Sequence, residues 1–424
     1  MLLTWFQRGD DGMVVKTLTG NKAVAHAVKA ARVKVVAAYP ITPQTTIVET
    51  LADMIEHGEM NAKMIRVESE HSALAATLGA AAAGARSFTA TSSHGLLLMH
   101  EVVWWTAGAR IPVVMSVVTR AIGPPWNIHV DHNDIWDQRD SGWIISIAEN
   151  NQEVFDLTLQ AFRISEDPRV YLPMIVGLDG FILSHTVAPV DIPDQEKIDQ
   201  WLPPRRQPYV ITPESGVVMG NLAADEDYYM MRYSIQTAMV EAKKVISEVD
   251  DEYGEVFGRK YGGLVECFHC DGSKYNIVIA GSWSGDAKEA VLKLRDEGYS
   301  VGVLRVRYFR PWPDEEIRRL LSTSKGVLFI DRSISFGGKG HLLTEAMTNL
   351  AESTNLPAVR GVIAGLGGVD VGADEFYELT KSFIDEVEEN GPFYDPLYWH
   401  IPQVYRGKYP ERLPGYGKFS YERR

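Results

Sequence analysis

The stretch that decides the fold runs from Tyr39 to Gly142 and carries four polar clusters. They are Tyr39-Pro40-Ile41-Thr42-Pro43, Val67-Glu68-Ser69-Glu70-His71-Ser72-Ala73, Thr91-Ser92-Ser93-His94-Gly95 and Val118-Thr119-Arg120-Ala121. Each cluster follows a short apolar run and precedes residues with helical spacing, which predicts that each lies where a strand ends. Because open α/β folds bind ligands at the carboxyl ends of parallel strands, we expect the four clusters to share one site.

Strand-type and helix-type segments alternate outward from this stretch in both directions. The strand-type runs nearest to it are Val33–Ala38, Met64–Val67, Ser87–Thr91, Pro112–Val118, Trp143–Ala148 and Val170–Gly177. This alternation predicts an α/β fold built on a parallel sheet that is covered on both faces. A second α/β unit begins near Asn276 with the same alternation.

Three short patterns predict where individual helices begin. Thr42-Pro43 has the form of a helix cap followed by proline at the first helical position. Ser69 is placed to cap a helix from Glu70 to Gly84, and Asn150 to cap a helix over Gln152–Glu166.

The chain of 424 residues is too long for one ordinary core, so we expect two domains and connecting segments. The predicted division is an N-terminal extension (1–19), a first α/β unit (20–188), a connector with a long helix (189–275), a second α/β unit (276–391) and a C-terminal arm (392–424).

Composition excludes some classes of partner. The formal net charge of −14 argues against nucleic acid, which favours basic surfaces. Apolar stretches are too short to cross a bilayer, and no secretory signal pattern is visible. We therefore expect a cytoplasmic protein without a membrane partner.

The two cysteines of the chain, Cys267 and Cys270, form a single Cys-x-x-Cys motif. Zinc and iron–sulfur sites need about four ligands, so this pair alone completes neither. A redox pair, half of a shared metal site, a local disulfide and two incidental thiols all remain open. Any iron–sulfur cluster is expected on another polypeptide.

Glu70 and Arg120 are the main candidates for chemistry. Glu70 opens a helix rich in alanine and glycine, where it either contacts a ligand or stabilises the helix dipole. Glu68 is the comparison, expected to be a surface acid. Arg120 ends an apolar strand and has the geometry to bind a carboxylate with two hydrogen bonds.

Arg120 and Thr42 could also have purely structural roles. Arg120 could instead pair with Asp131 or Asp134, and Thr42 could act only as a helix cap rather than also donating its hydroxyl to a ligand.

Other polar clusters carry weaker signals. His94, His129 and His132 lie on predicted loops and lack the helical spacing of a common metal-ligand pair, so no metal site is expected. The glycine-rich segments 337–340 and 365–368 match neither dinucleotide nor phosphate-loop spacing and are interpreted as turns.

Several motifs in order resemble the alpha subunit of 2-oxoacid:ferredoxin oxidoreductases, and most closely the pyruvate enzymes of that family. The motifs are Tyr39–Pro43, Glu68–His71, Ala90–Ser93, Asp131–Asp134, Gln138–Trp143, Leu178–Phe181 and Pro189–Gln195. The resemblance extends from residue 20 to about residue 390. Its second α/β unit resembles the C-terminal domain of transketolase, and residues 20–188 resemble a pyrimidine-type thiamine-diphosphate-binding domain.

The resemblance implies a subunit of an enzyme that decarboxylates a 2-oxoacid oxidatively with coenzyme A and ferredoxin. The Gly-Asp-Gly motif of the diphosphate side is absent from this sequence. Thiamine diphosphate is therefore expected to be shared with a beta subunit that carries Mg²⁺. The [4Fe-4S] clusters are expected on gamma and delta subunits, or on fused equivalents.

The resemblance also implies roles for individual residues. Glu70 matches the glutamate that hydrogen-bonds the pyrimidine ring of the cofactor, and Pro40 lies in a cofactor-binding motif. Arg120 and Thr42 match the residues that hold the substrate carboxylate. Trp126 is bulkier than expected for some relatives, so a larger or aromatic 2-oxoacid is an alternative to pyruvate.

Two other functional classes remain as alternatives. A non-catalytic scaffold is disfavoured because Thr42, Glu70 and Arg120 are all present. An NAD-linked dehydrogenase is disfavoured because no Gly-x-Gly-x-x-Gly follows a predicted strand.

Overall fold

The computed structural model describes residues 14–352 and 356–399. The strands of this part are β1 (Val14–Thr19), β2 (Val35–Ala38), β3 (Lys63–Arg66), β4 (Ser87–Thr91), β5 (Val114–Thr119), β6 (Ile144–Ile147), β7 (Met174–Asp179), β8 (Val187–Ile192), β9 (Val265–Phe268), β10 (Tyr275–Ile279), β11 (Val301–Val306), β12 (Tyr308–Arg310), β13 (Gly326–Asp331), β14 (Ala358–Ile363) and β15 (Tyr394–Trp399).

Helices connect most of these strands. They are α1 (Gly20–Ala30), α2 (Thr45–Glu56), α3 (Glu70–Ala82), α4 (Ser93–Gly108), α5 (Asn133–Trp136), α6 (Asn151–Ser165), α7 (Gln195–Trp201), α8 (Asp225–Phe257), α9 (Ser284–Asp296), α10 (Asp314–Leu321), α11 (His341–Leu350) and α12 (Ala373–Asn390), with a short 3₁₀ turn at Leu366–Gly368. Among the described residues, no helix is both long enough and apolar enough to cross a membrane.

The first sheet has seven strands in the order β12-β6-β7-β5-β4-β2-β3. Its strands run parallel except for β12, which pairs antiparallel with β6. Every residue of β4, β5, β6 and β7 is buried. Continuous burial of this kind is typical of a parallel sheet covered on both faces, so the predicted α/β fold is confirmed.

The second sheet has six strands in the order β15-β14-β13-β10-β11-β9. Its strands are parallel except for β9, which pairs antiparallel with β11. Helices α9 and α12 pack on it with a second apolar core of their own. The predicted second α/β unit is thus present.

Some segments outside the two expected α/β units are ordered in ways that the sequence pattern did not reveal. Residues 14–19, expected within an extension, form β1 and pair antiparallel with β8. The strand β12 follows the second unit's β11 in the chain but joins the first sheet. The predicted long helix of the connector is confirmed and extends over 33 residues as α8. The predicted C-terminal arm (392–424) begins as part of the second sheet, because β15 pairs parallel with β14. The arm beyond residue 399 lies outside the described residues.

Two of the three predicted helix caps form. The Ser69 side chain accepts a hydrogen bond from the Ser72 amide, and the Asn150 side chain accepts one from the Glu153 amide. The cap at Thr42-Pro43 was wrong, because α2 begins only at Thr45. Instead, a turn precedes the helix, in which the Gln44 amide donates a hydrogen bond of 2.7 Å to the Ile41 carbonyl.

The two cysteines are joined in a local disulfide, one of the four alternatives that the sequence left open. Their Cα atoms lie 5.2 Å apart at the end of the edge strand β9. Cys267 is exposed and Cys270 is buried.

Candidate active site

The four polar clusters meet at one edge of the first sheet, as predicted from the sequence. Thr42 follows β2, Glu70 follows β3, Ser93 follows β4 and Arg120 follows β5. These four strands are neighbours and parallel, so their carboxyl ends open to the same side. The site is therefore assembled by the topology of the sheet.

The carboxyl group of Glu70 is buried at the first position of α3, with 8% of the residue exposed. Among the described residues, none donates a hydrogen bond to it. One carboxylate oxygen lies 2.7 Å from the place that a Cβ atom on Gly95 would take, with the Thr91 hydroxyl beside it. Gly95 thus leaves the space in which the Glu70 carboxyl lies.

Glu68 has a different environment from Glu70, although only one residue separates them. It is exposed and accepts a hydrogen bond from the Ser72 hydroxyl, which lowers the pKa of its carboxyl. The expectation of a surface acid is confirmed. Burial therefore distinguishes Glu70 from its neighbour.

Arg120 is buried, with 2% of the residue exposed. Its Nη1 donates a hydrogen bond of 2.7 Å to the Thr42 carbonyl, and its buried Nε has no partner. A guanidinium has five N–H donors, so donors remain for a ligand. Burial lowers the pKa of Arg120, but an arginine stays charged across the working pH range.

The alternative that the sequence left open for Arg120, an ion pair of its side chain with Asp131 or Asp134, does not occur among the described residues. Asp134 accepts the backbone amide of Arg120 (3.0 Å), and it also accepts the Ser93 amide (2.9 Å). Burial raises the pKa of the Asp134 carboxyl to about 8. Asp134 therefore ties the ends of β4 and β5 together while the guanidinium keeps its charge for other partners.

His94 and Trp126 surround the guanidinium. The Nδ1 atom of His94 lies 3.2 Å from Nη2 of Arg120, and its Nε2 accepts a hydrogen bond of 3.1 Å from the Gly123 amide. The indole of Trp126 stacks on the imidazole with centroids 5.3 Å apart. The same indole lies 5.1 Å from the guanidinium carbon.

The Tyr39–Thr42 segment forms the open side of the site. Tyr39, Pro40 and Thr42 are exposed. The segment is anchored from behind, because the Gln44 side chain donates to the Ala90 carbonyl (2.7 Å). The exposed residues thus face away from this chain's core.

The second α/β unit supports the loop that follows Arg120. The Asn127 side chain donates to the Gly367 carbonyl (3.0 Å), within the glycine-rich turn that the sequence predicted. His132 contacts Asp179 at 2.7 Å, and Asp179 also accepts from the Ser282 hydroxyl. His132 and Arg332 hold the pKa of Asp179 well below its ordinary value, although burial acts in the opposite direction.

Comparison with known proteins identifies the family. The model of pyruvate flavodoxin/ferredoxin oxidoreductases, thiamine diphosphate-binding, matches residues 26–251. The model of pyruvate:ferredoxin oxidoreductase core domain II matches residues 273–376. This chain belongs to the pyruvate:ferredoxin oxidoreductase family.

Two curated relatives from Pyrococcus abyssi cover nearly the whole chain. The ketoisovalerate oxidoreductase subunit VorA is 45% identical over 91% of this chain and 98% of its own length. The pyruvate synthase subunit PorA is 44% identical over the same shares. These nearly equal identities do not distinguish between the two substrates named.

Two solved structures share the fold. A 2-oxoglutarate:ferredoxin oxidoreductase from Magnetococcus marinus has a TM-score of 0.69 at 19% identity, covering 87% of this chain and 65% of that one. A split-gene transketolase has a TM-score of 0.50 at 12% identity, covering 86% of this chain and 97% of that one. The expected thiamine-diphosphate-enzyme architecture is confirmed.

The residues present fit the pyrimidine side of thiamine diphosphate, the cofactor of this family. Glu70 is a buried residue, and its carboxyl accepts no hydrogen bond from any of the described residues. Within the same part of the chain, the buried hydroxyls of Thr91 and Ser92 have no hydrogen-bond partner. Buried polar atoms are normally paired, so unpaired ones at a strand edge indicate a ligand. A ring nitrogen and an amino group would satisfy them.

Three contributors to this family's site were missed from the sequence. The sequence suggested for His94 only a metal-ligand role, for Asp134 a metal-ligand role or a pair with the Arg120 side chain, and for Gly95 no role beyond its place in the third polar cluster. The signal for Gly95 was available, because glycine near a helix start is typical of close approach by another group. Nothing in the local pattern around His94 indicated its contact with Arg120.

Proposed function

We propose that this chain is the alpha subunit of a thiamine-diphosphate-dependent 2-oxoacid:ferredoxin oxidoreductase. The complex converts a 2-oxoacid and coenzyme A into an acyl-CoA and carbon dioxide, and the released electrons reduce ferredoxin. The observation that carries the proposal is the buried Glu70, whose carboxyl accepts no hydrogen bond from the described residues and which lies on the same sheet edge as Arg120. Membership of the family supplies the reaction class.

Glu70 holds a proton at the cofactor's pyrimidine ring. When bound, thiamine diphosphate supplies a nucleophilic carbon that accepts the electrons of decarboxylation. The carboxyl of Glu70 would share a proton with a nitrogen of the bound pyrimidine ring, and this hydrogen bond would support the proton-accepting form of the cofactor. A site closed to water strengthens this hydrogen bond.

Arg120 binds and orients the substrate carboxylate. A guanidinium that keeps free N–H donors in a buried setting makes charge-assisted hydrogen bonds stronger than neutral ones. We assign to the Thr42 hydroxyl a hydrogen bond to the same carboxylate, because the Thr42 carbonyl accepts a hydrogen bond from Arg120. Pro40, on the same exposed segment, would contact the bound cofactor.

The complementary half of the active site lies on partner subunits. The sequence contains no Gly-Asp-Gly motif, so a beta subunit holds the diphosphate and Mg²⁺. Both cysteines are joined in one disulfide, whereas a [4Fe-4S] cluster needs about four thiolates. Gamma and delta subunits, or fused equivalents, therefore carry the clusters that lead to ferredoxin.

Anaerobic isolation of the native complex followed by a viologen-reduction assay tests the proposal. The assay contains coenzyme A and a panel of 2-oxoacids: pyruvate, a branched-chain, an aromatic and a dicarboxylic one. We expect reduction that requires both a 2-oxoacid and coenzyme A. A complex that retains thiamine diphosphate and iron but reduces viologen with none of them would support the scaffold alternative.

A further inference from the structure

The residue Trp126 combines high exposure with a fixed position beside Arg120. The exposed fraction of Trp126 is 73%, one of the highest among the large apolar residues of the described chain. Its indole is nevertheless ordered by two contacts, the stack on His94 and the approach to the Arg120 guanidinium. An exposed indole held in this way presents one free apolar surface at the site.

The loop that carries Trp126 is held at both ends. The Ala121 amide donates to the His129 carbonyl (2.9 Å), and the Asn127 side chain donates to the Gly367 carbonyl. These anchors keep the indole next to the Arg120 guanidinium. The indole therefore remains a neighbour of whatever Arg120 binds.

The chemistry of a 2-oxoacid defines which part of it meets this surface. With its carboxylate on Arg120, its third carbon lies only two bonds away from the carboxylate carbon. Methyl groups attached to that carbon would bury apolar area against the indole, which is favourable, whereas the third carbon of pyruvate is itself a methyl group and carries no further carbon.

We propose that Trp126 is a specificity-determining residue that selects 2-oxoacids branched at the third carbon over pyruvate. The inference rests on the proposed function, because it assumes that Arg120 binds the substrate carboxylate. This chain is almost equally similar to a ketoisovalerate oxidoreductase subunit and to a pyruvate synthase subunit, so these similarities leave its substrate preference open. The inference assigns that preference.

The test compares 2-oxo-3-methylbutanoate with pyruvate in the native complex, using the viologen assay. We expect the wild-type complex to prefer the branched acid in kcat/KM by roughly tenfold or more, the range that a few methyl groups provide in an apolar pocket. Trp126→Ala should lower this ratio by roughly tenfold, chiefly through KM. Trp126→Phe should preserve most of the ratio, because a flat apolar ring remains.

Trp105→Ala is the matched control. Trp105 is an exposed indole (53%) on α4, twelve residues after Ser93 and so about 18 Å along the helix from the site. Its loss should leave the ratio unchanged. Because both substrates are measured on each variant, a general loss of folding does not alter the ratio.

The outcomes separate this inference from the proposed function. An unchanged or increased ratio in Trp126→Ala would overturn the assignment of Trp126, and so would a wild-type preference for pyruvate over the branched acid. In those cases the reaction itself would still be supported. If none of the 2-oxoacids supports viologen reduction, that result would instead overturn the proposed function.

Discussion

The guanidinium of Arg120 donates a hydrogen bond of 2.7 Å to the backbone carbonyl of Thr42. The two residues follow β5 and β2, which are separated in the sheet by β4. The hydrogen bond therefore spans the end of the intervening strand and fixes the guanidinium over the sheet edge. A guanidinium that is held by a backbone carbonyl keeps its position when a substrate binds. It can therefore orient the substrate carboxylate as well as bind it.

Replacement of Arg120 is predicted to weaken substrate binding. Arg120→Ala should raise the KM for the 2-oxoacid roughly 10- to 100-fold. This factor corresponds to the free energy of a hydrogen bond to a charged group. Arg120→Lys should have a smaller effect, because it keeps the charge but loses the fork of donors. Steady-state kinetics of the complex measures both.

Arg66→Ala serves as a control for this prediction, since Arg66 also ends a strand of the sheet but is exposed. An Arg120→Ala complex with the KM of wild type would remove Arg120 from the substrate site.

A methyl group at Gly95 is predicted to disturb the Glu70 carboxyl. The added Cβ would lie 2.7 Å from a Glu70 carboxylate oxygen, closer than such contacts occur. Gly95→Ala should therefore lower kcat and the retention of thiamine diphosphate. Gly108→Ala in the same helix is the control, because a Cβ there meets nothing within 4 Å. Equal cofactor content and activity in the two variants would contradict the placement of Glu70.

The buried carboxylate of Glu153 is predicted to make stability depend on acid pH. Burial alone would raise the pKa of Glu153, but Arg305 and Arg307 outweigh it and lower the pKa from 4.5 to about 2. The depressed pKa contributes stability that is present above pH 4.5 and is lost as the pH falls towards 2. Thermal unfolding of the complex across this range should show the loss.

Glu153→Gln should destabilise the chain by about 3–5 kcal/mol, because it leaves buried guanidinium groups without their counter-ion. The exposed ion pair of Glu248 with Arg169 provides the comparison, and Glu248→Gln should cost about 1 kcal/mol or less. Similar unfolding midpoints for the two variants would exclude Glu153 as the acid-sensitive group.

Local sequence signals predicted those parts of the fold that depend on neighbouring residues. The Ser69 cap and the strand-end position of Arg120 follow from hydrogen bonding and periodicity within a few residues. The cap at Thr42 failed because distant contacts decide that turn: the Asn21 side chain donates to the Pro43 carbonyl (2.8 Å). Tertiary contacts of this kind leave no trace in the local pattern.

The partners of the candidate site residues depend on the same long-range contacts. His94 reaches Arg120 across 26 positions, and Asn127 reaches Gly367 across 240. Sheet order brings these pairs together, and the sequence predicts strands more readily than their order. The strand ends could thus be located in advance, whereas the contacts that fix Arg120 could not.

The measurement that tests the central claim most directly is viologen reduction by a complex carrying Glu70→Gln, beside one carrying Glu68→Gln. Glutamine keeps the size of the side chain but cannot exchange a proton with the cofactor, so kcat should fall at least about 100-fold. Glu68→Gln, which alters an exposed acid, should retain wild-type activity. Both complexes should retain their subunits, which size-exclusion chromatography verifies. A Glu70→Gln complex with activity within a few-fold of wild type would contradict the account.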